Sequence, residues 1–101
     1  MKTTLRLYIE KRINKFTTFY KRIIGVNIYL VLDNQSDSQN KRVEIRVQIP
    51  GDDIIVTKQS DSFEKGVDMA ASACERLLIR RKEKTRMVWF FYAKNALNQK
   101  K

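Results

Sequence analysis

At 101 residues the chain is long enough for one domain with its own core and too short for two. Charged residues at 32% and hydrophobic ones at 43% exclude a disordered chain, while a net charge of +10 gives a field that favours polyanions. No apolar run approaches the roughly 18 residues of a membrane span and no secretory leader is legible, so neither a membrane partner nor export is expected.

The chain has no histidine, which removes the commonest general base and the commonest transition-metal ligand. Its glycines Gly25, Gly51 and Gly66 stand singly, outside any phosphate-cradling or nucleophile-elbow motif. The adjacent carboxylates Asp52 and Asp53 follow Pro50-Gly51 and read as turn residues. No catalytic residue, metal site, cofactor or small-molecule substrate is expected. The one cysteine, Cys74, has no disulfide partner and reads as a small core residue in a reducing, cytoplasmic protein.

In chain order, Thr4 to about Arg22 reads as a helix with Leu5, Ile9, Ile13, Phe16 and Tyr20 on one face. Lys11, Lys15 and Arg22 line its flank, and Arg12 falls inside the apolar arc. Three strands follow. Ile24 to Leu32 alternates with one strongly apolar face; Arg42 to Ile49 alternates Val43, Ile45, Val47 and Ile49 with polar residues; a third runs from Asp53 to about Gln59. The polar link Asp33–Asn40 reads as a mobile hairpin loop and Pro50-Gly51-Asp52 as a tight turn, both short enough to demand antiparallel neighbours.

Ser62 to about Arg86 is the second helix, capped by Ser62, with Phe63, Val67, Ala70, Cys74 and Leu77 on its apolar face. Its last third is the most unusual stretch of the chain. Arg76, Arg80 and Lys84 repeat at every fourth residue, joined by Arg81, Lys82 and Arg86, with only Glu75 and Glu83 among them. Like charges so spaced repel, and the favourable dipole at a helix C-terminus accounts for two or three such cations, not six. Arg81 interrupts the apolar face as Arg12 does in the first helix, which suggests that the two heads meet in or beside a groove between the helices.

The fold expected is α+β: α-β-β-β-α, an antiparallel three-stranded meander with two helices packed on one face, the element order of a double-stranded-RNA-binding domain. Residues 1–86 form the domain, and 87–101 an aromatic then basic tail whose run Met87 to Tyr92 continues the helix, adds an edge strand, mediates self-association or stacks on bases. Asp33 to Asp68 holds eight acids against five bases, so the cationic excess lies in the helices and tail.

The first-helix run Ile9-Glu10-Lys11-Arg12-Ile13-Asn14-Lys15-Phe16, the Phe19-Tyr20 pair, the meander, Phe63 to Ala70 and the basic ending Glu75 to Lys84 together resemble the ribosome hibernation promoting factor and ribosome-associated inhibitor group, the sigma-54 modulation proteins, in their short form. The resemblance implies binding to small-subunit rRNA in the mRNA–tRNA channel, keeping idle ribosomes from translating. By matching position it implies contacts from Arg12, Lys15, Arg76, Arg80, Arg81, Lys82 and Lys84; the charge pattern adds Lys11, Arg22 and Arg86. Family members usually begin with a strand before the first helix. Here the chain starts almost at the helix, which leaves the edge at 24–32 without a neighbour and open to association. Two alternatives are a double-stranded RNA-binding domain, which usually places its cations at the start of the second helix, and a protein-interaction module whose charge is incidental.

Overall fold

The computed structural model describes residues 3–33 and 38–98, with helical side chains described as far as Lys84. Helix α1 spans Thr3–Asn14, a short helix α2 spans Phe16–Phe19, strands β1, β2 and β3 span Gly25–Leu32, Lys41–Ile49 and Asp52–Ser60, and helix α3 spans Phe63–Asn98. The sheet has the order β1-β2-β3 with both pairings antiparallel. This is the expected α+β meander with its helices on one face.

The alternation read in β2 is realised fully, because Val43, Ile45, Val47 and Ile49 are all buried beneath the helices. They meet Ile54 and Val56 of β3, Val67, Ala70, Ala71, Cys74 and Leu78 of α3, and Ile9, Phe16 and Tyr20 from the first helical segment. The turn between β2 and β3 works through its two central residues. Pro50 presets the first φ, and Gly51 takes a φ of 88°, which a side chain would disfavour.

Several boundaries differ from the sequence reading. The first helix breaks at Lys15 instead of running to Arg22, and its polypeptide is extended by Tyr20. Thr17 and Thr18 explain the break, since their hydroxyls donate to the carbonyls of Asn14 (3.0 Å) and Lys15 (2.6 Å) and compete with the helical ladder. On α3 the buried residue is Leu78, and Leu77 lies at the margin with 36% exposure. A face at Val67, Ala70 and Cys74 continues equally well to i+3 or i+4, and the position of the sheet selects i+4. β1 begins at Gly25 and not at Ile24, which precedes it with its N–H donating to the Gln48 carbonyl at 2.8 Å; Ile24 and the terminal Leu32 lie in solvent, while Val26, Ile28 and Leu30 are partly buried.

α3 continues as one helix across Arg86 to Asn98. The side chains of the run Met87 to Tyr92 lie outside the described residues, as do residues 34–37 of the Asp33–Asn40 link, whose base is closed by the Asp33 N–H donating to the Asn40 carbonyl at 2.7 Å. Among the described residues no helix is long and apolar enough to cross a membrane.

The start of α3 is held as its sequence suggests. Ser62 Oγ accepts from the Lys65 N–H at 3.2 Å, and Asp61 pairs with Lys65 at 3.4 Å. One turn on, α3 passes so close to β2 that a Cβ at Gly66 would lie 2.8 Å from Val43 Cγ2. Gly66→Ala is therefore expected to destabilise by about 1–3 kcal/mol despite alanine's better helix propensity. Adding Val43→Ala should return part of that loss in urea titrations, and additive losses would reject the steric account.

Cys74 is fully buried, and burial, with a smaller contribution from Glu75, pushes its thiol up to about 12. Its folded-state value lies above the unfolded one, so the stability it contributes is complete below about pH 8.5 and falls as pH rises toward 12. Native protein should resist thiol-specific reagents at pH 8 and react at once in denaturant; rapid labelling of the folded chain would contradict the burial.

Candidate nucleic-acid interface

Arg12 projects from α1 onto one stripe of α3. Its guanidinium lies 3.6 Å from Asp68 and 3.7 Å from Glu75, and Nη2 donates to Ser72 Oγ at 3.0 Å and to the Asp68 carbonyl at 3.4 Å. Asp68, Ser72 and Glu75 recur at i, i+4 and i+7, so they share a flank of the helix. Tyr8, one turn earlier on α1, donates its hydroxyl to Asp68 Oδ1 at 3.2 Å; partial burial, then the Asp68 charge, raises the phenol's pKa. Arg12 retains only 17% of its side-chain exposure and Glu75 only 18%. This is a strut between helices more than an offered cation.

Arg81 behaves differently from the expectation that it would meet Arg12. Its Nη2 lies 3.3 Å from Asp52 Oδ2, so it reaches toward the β2–β3 turn while Arg12 holds the opposite flank. Helical periodicity gives an angle around one rod and does not say which neighbour stands at that angle. The polar stripe at 68, 72 and 75 was the available clue to where Arg12 goes.

The remaining cations are presented to solvent. Lys11 lies exposed on α1 and Lys15 at its joint with α2, whereas Arg22 is exposed in the extended segment and is not part of a helical flank. Arg76, Arg80, Lys82 and Lys84 are exposed along α3. None of these seven forms an ion pair among the described residues. Glu75, expected to temper this stretch, faces α1 instead. The dipole explanation also weakens, because α3 ends at Asn98 and the end effect extends over only one turn. The Arg86 side chain lies outside the described residues.

Arg80, Arg81 and Lys84 join Asp52, Ile54 and Leu77 around an open groove of about 380 Å³. Its two apolar residues give a floor and its cations a rim. Such a surface suits a phosphate-bearing chain, which needs neutralisation and close approach more than a deep pocket.

The sequence pattern of the Sigma 54 modulation protein / S30EA ribosomal protein family matches residues 1–86. The chain belongs to this family. It is a family of ribosome-associated proteins. Among curated relatives, a ribosome hibernation promoting factor from Azotobacter vinelandii is 22% identical over 80 residues, covering 79% of this chain and 71% of the relative. A ribosomal subunit interface protein from Coxiella burnetii has a similar fold, with a TM-score of 0.68 at 24% identity, covering 81% of this chain and 86% of that one. The N-terminal domain of Thermus thermophilus Protein Y is similar over 79% of this chain and 84% of its own, with a TM-score of 0.62 at 21% identity. Within this S30EA family member, the arrangement of cations on α1 and α3 is the chemistry that remains to be given a partner.

Proposed function

We propose that this chain is a cytoplasmic hibernation factor that binds rRNA of the small ribosomal subunit in the mRNA–tRNA channel and keeps idle ribosomes from translating. Family membership supports the ribosomal partner. The observation that carries the mode of binding is the file Arg76, Arg80, Lys82 and Lys84, exposed and without ion pairs among the described residues, on a helix where Glu75 is turned toward Arg12 and Glu83 is the one acid exposed among them.

In this reading Lys11, Lys15 and Arg22 extend the contact from the first helical segment, and Arg86 continues the α3 file. Arg81, fixed against Asp52, shapes the groove beside Arg80 and Lys84. Arg12 acts mainly by fixing α1 against α3, so that both sets of cations meet one curved phosphate surface. Recognition is of rRNA shape and backbone more than of base sequence.

Co-sedimentation with purified small subunits over a salt series tests this. With about six phosphate contacts, log K should fall against log[salt] with a slope of about −4 to −5, and excess free duplex RNA should compete poorly. Salt-independent binding, or preference for the free duplex, would overturn the proposal.

A further inference from the structure

α3 runs back along β3, with Gly66 beside Ser60 near its start and Arg81 beside Asp52 further on. The groove between them therefore has an order along the helix axis. Leu77 comes first with Ile54, then Arg80 with the Arg81–Asp52 pair, then Lys84. Over that stretch the helix rises about 10 Å.

The two ends of the groove offer different chemistry. At one end Leu77, 36% exposed, and Ile54, 7% exposed, make an aliphatic floor. At the other end Asp52 does not oppose an anion, because its charge is already engaged: Oδ2 lies 3.3 Å from Arg81 Nη2, and Oδ1 accepts from the Asp53 N–H at 2.8 Å. The cations left for a ligand are Arg80 and Lys84, exposed and without ion pairs among the described residues. They stand one turn apart, about 6 Å along the axis.

A phosphate backbone alone has no use for an aliphatic floor, and an apolar ligand alone has no use for the cations. A nucleotide uses both, since it joins an anionic phosphate to a base with apolar faces. In a duplex those faces are stacked away, whereas an unpaired base can lay one on a protein surface. At about 380 Å³ the groove falls near the lower end of the roughly 300–1,000 Å³ of small-molecule clefts, enough for one such unit and not for a helix.

We propose that the groove seats one unpaired nucleotide of a single-stranded RNA segment, its base on Leu77 and Ile54 and its flanking phosphates against Arg80 and Lys84. This rests on the rRNA reading above and names the kind of RNA element held there. An aliphatic floor accepts the face of any base, so the contact requires that a base be unpaired without fixing which base it is.

Fluorescence anisotropy with the full chain at about 50 mM salt compares two probes of equal charge, a uridine octamer and the same ribose-phosphate chain without bases. The uridine strand should bind about fivefold more tightly or better. Leu77→Ala removes a partly exposed side chain and keeps the fold, so it should bring that ratio below about twofold while the abasic strand binds as before. Arg80→Gln/Lys84→Gln should weaken both strands alike.

Equal affinity for the two strands, no binding of either, or a ratio indifferent to Leu77→Ala would overturn the proposal. So would an aspartate–leucine peptide of the same charge that binds more tightly than the uridine strand, which would assign the groove to an acidic protein segment. None of these results bears on co-sedimentation with small subunits or on its salt slope, so the nucleotide site can fail while the ribosomal reading stands.

Discussion

Leu78→Ala should lower stability by about 3 kcal/mol or more, whereas Leu77→Ala, one residue earlier, should lower it by less than about 1 kcal/mol. Leu78 is fully buried between α3 and the sheet, among Val43, Ile45 and Cys74 in one core cluster, so truncation leaves a cavity that the β2 backbone cannot fill. Leu77 is 36% exposed and lines the open groove with Arg80, so water takes the place of the lost methyls. For a domain of this size the first change corresponds to a Tm fall of about 15 °C. Equal losses in the two variants, by urea or thermal unfolding, would mean that α3 is rotated from the orientation described.

Arg12→Met is expected to cost about 2–3 kcal/mol, between the small worth of an exposed ion pair and the larger loss on breaking a fully buried one. The magnitude is set by what stays behind. Glu75 is mostly covered and would keep its charge with no cation near it, while Ser72 and the Asp68 carbonyl would lose their donor. Met retains most of the stem's packing against α3, so the loss reports the charge more than the volume. Adding Glu75→Gln should recover a substantial part of it. A double variant no better than Arg12→Met would assign Arg12's role to its methylenes instead of to the ion pair.

These two residues also mark how far the sequence could be read. The three-strand order, the pairing of neighbours and the buried file of β2 were legible, because strict alternation leaves only one face to bury. The cap at Ser62 was legible from its side chain and position. Leu78 was not, since an i+3 and an i+4 continuation of a helical face differ only in where the sheet lies. The end of the first helix was not legible in the periodicity, because it depends on Thr17 and Thr18 bonding back to the preceding turn.

For the interface, the residue types and the α3 file could be read directly, whereas the fate of each cation depended on tertiary neighbours. Arg12 and Arg81 look alike in the sequence, each a cation within an apolar arc. One is held between helices by Asp68 and Glu75, and the other is held at a hairpin by Asp52. The carboxylates that decide this are 56 and more residues away from Arg12 and 29 away from Arg81, beyond the reach of local spacing.

The claim that the position of the cations, and not their number, directs this chain to rRNA is tested most directly by two variants of equal charge. Arg76→Gln/Arg80→Gln removes two exposed, unpaired cations from α3; Arg42→Gln/Arg46→Gln removes two from the outer sheet face, where they pair with Asp33 and Glu44. Binding to small subunits across a salt series should show the first variant losing affinity and about 1.5–2 units of salt slope, with the second close to wild type. Equal losses would reduce the interaction to net charge, and a loss confined to the sheet variant would put the contact on the opposite side of the molecule.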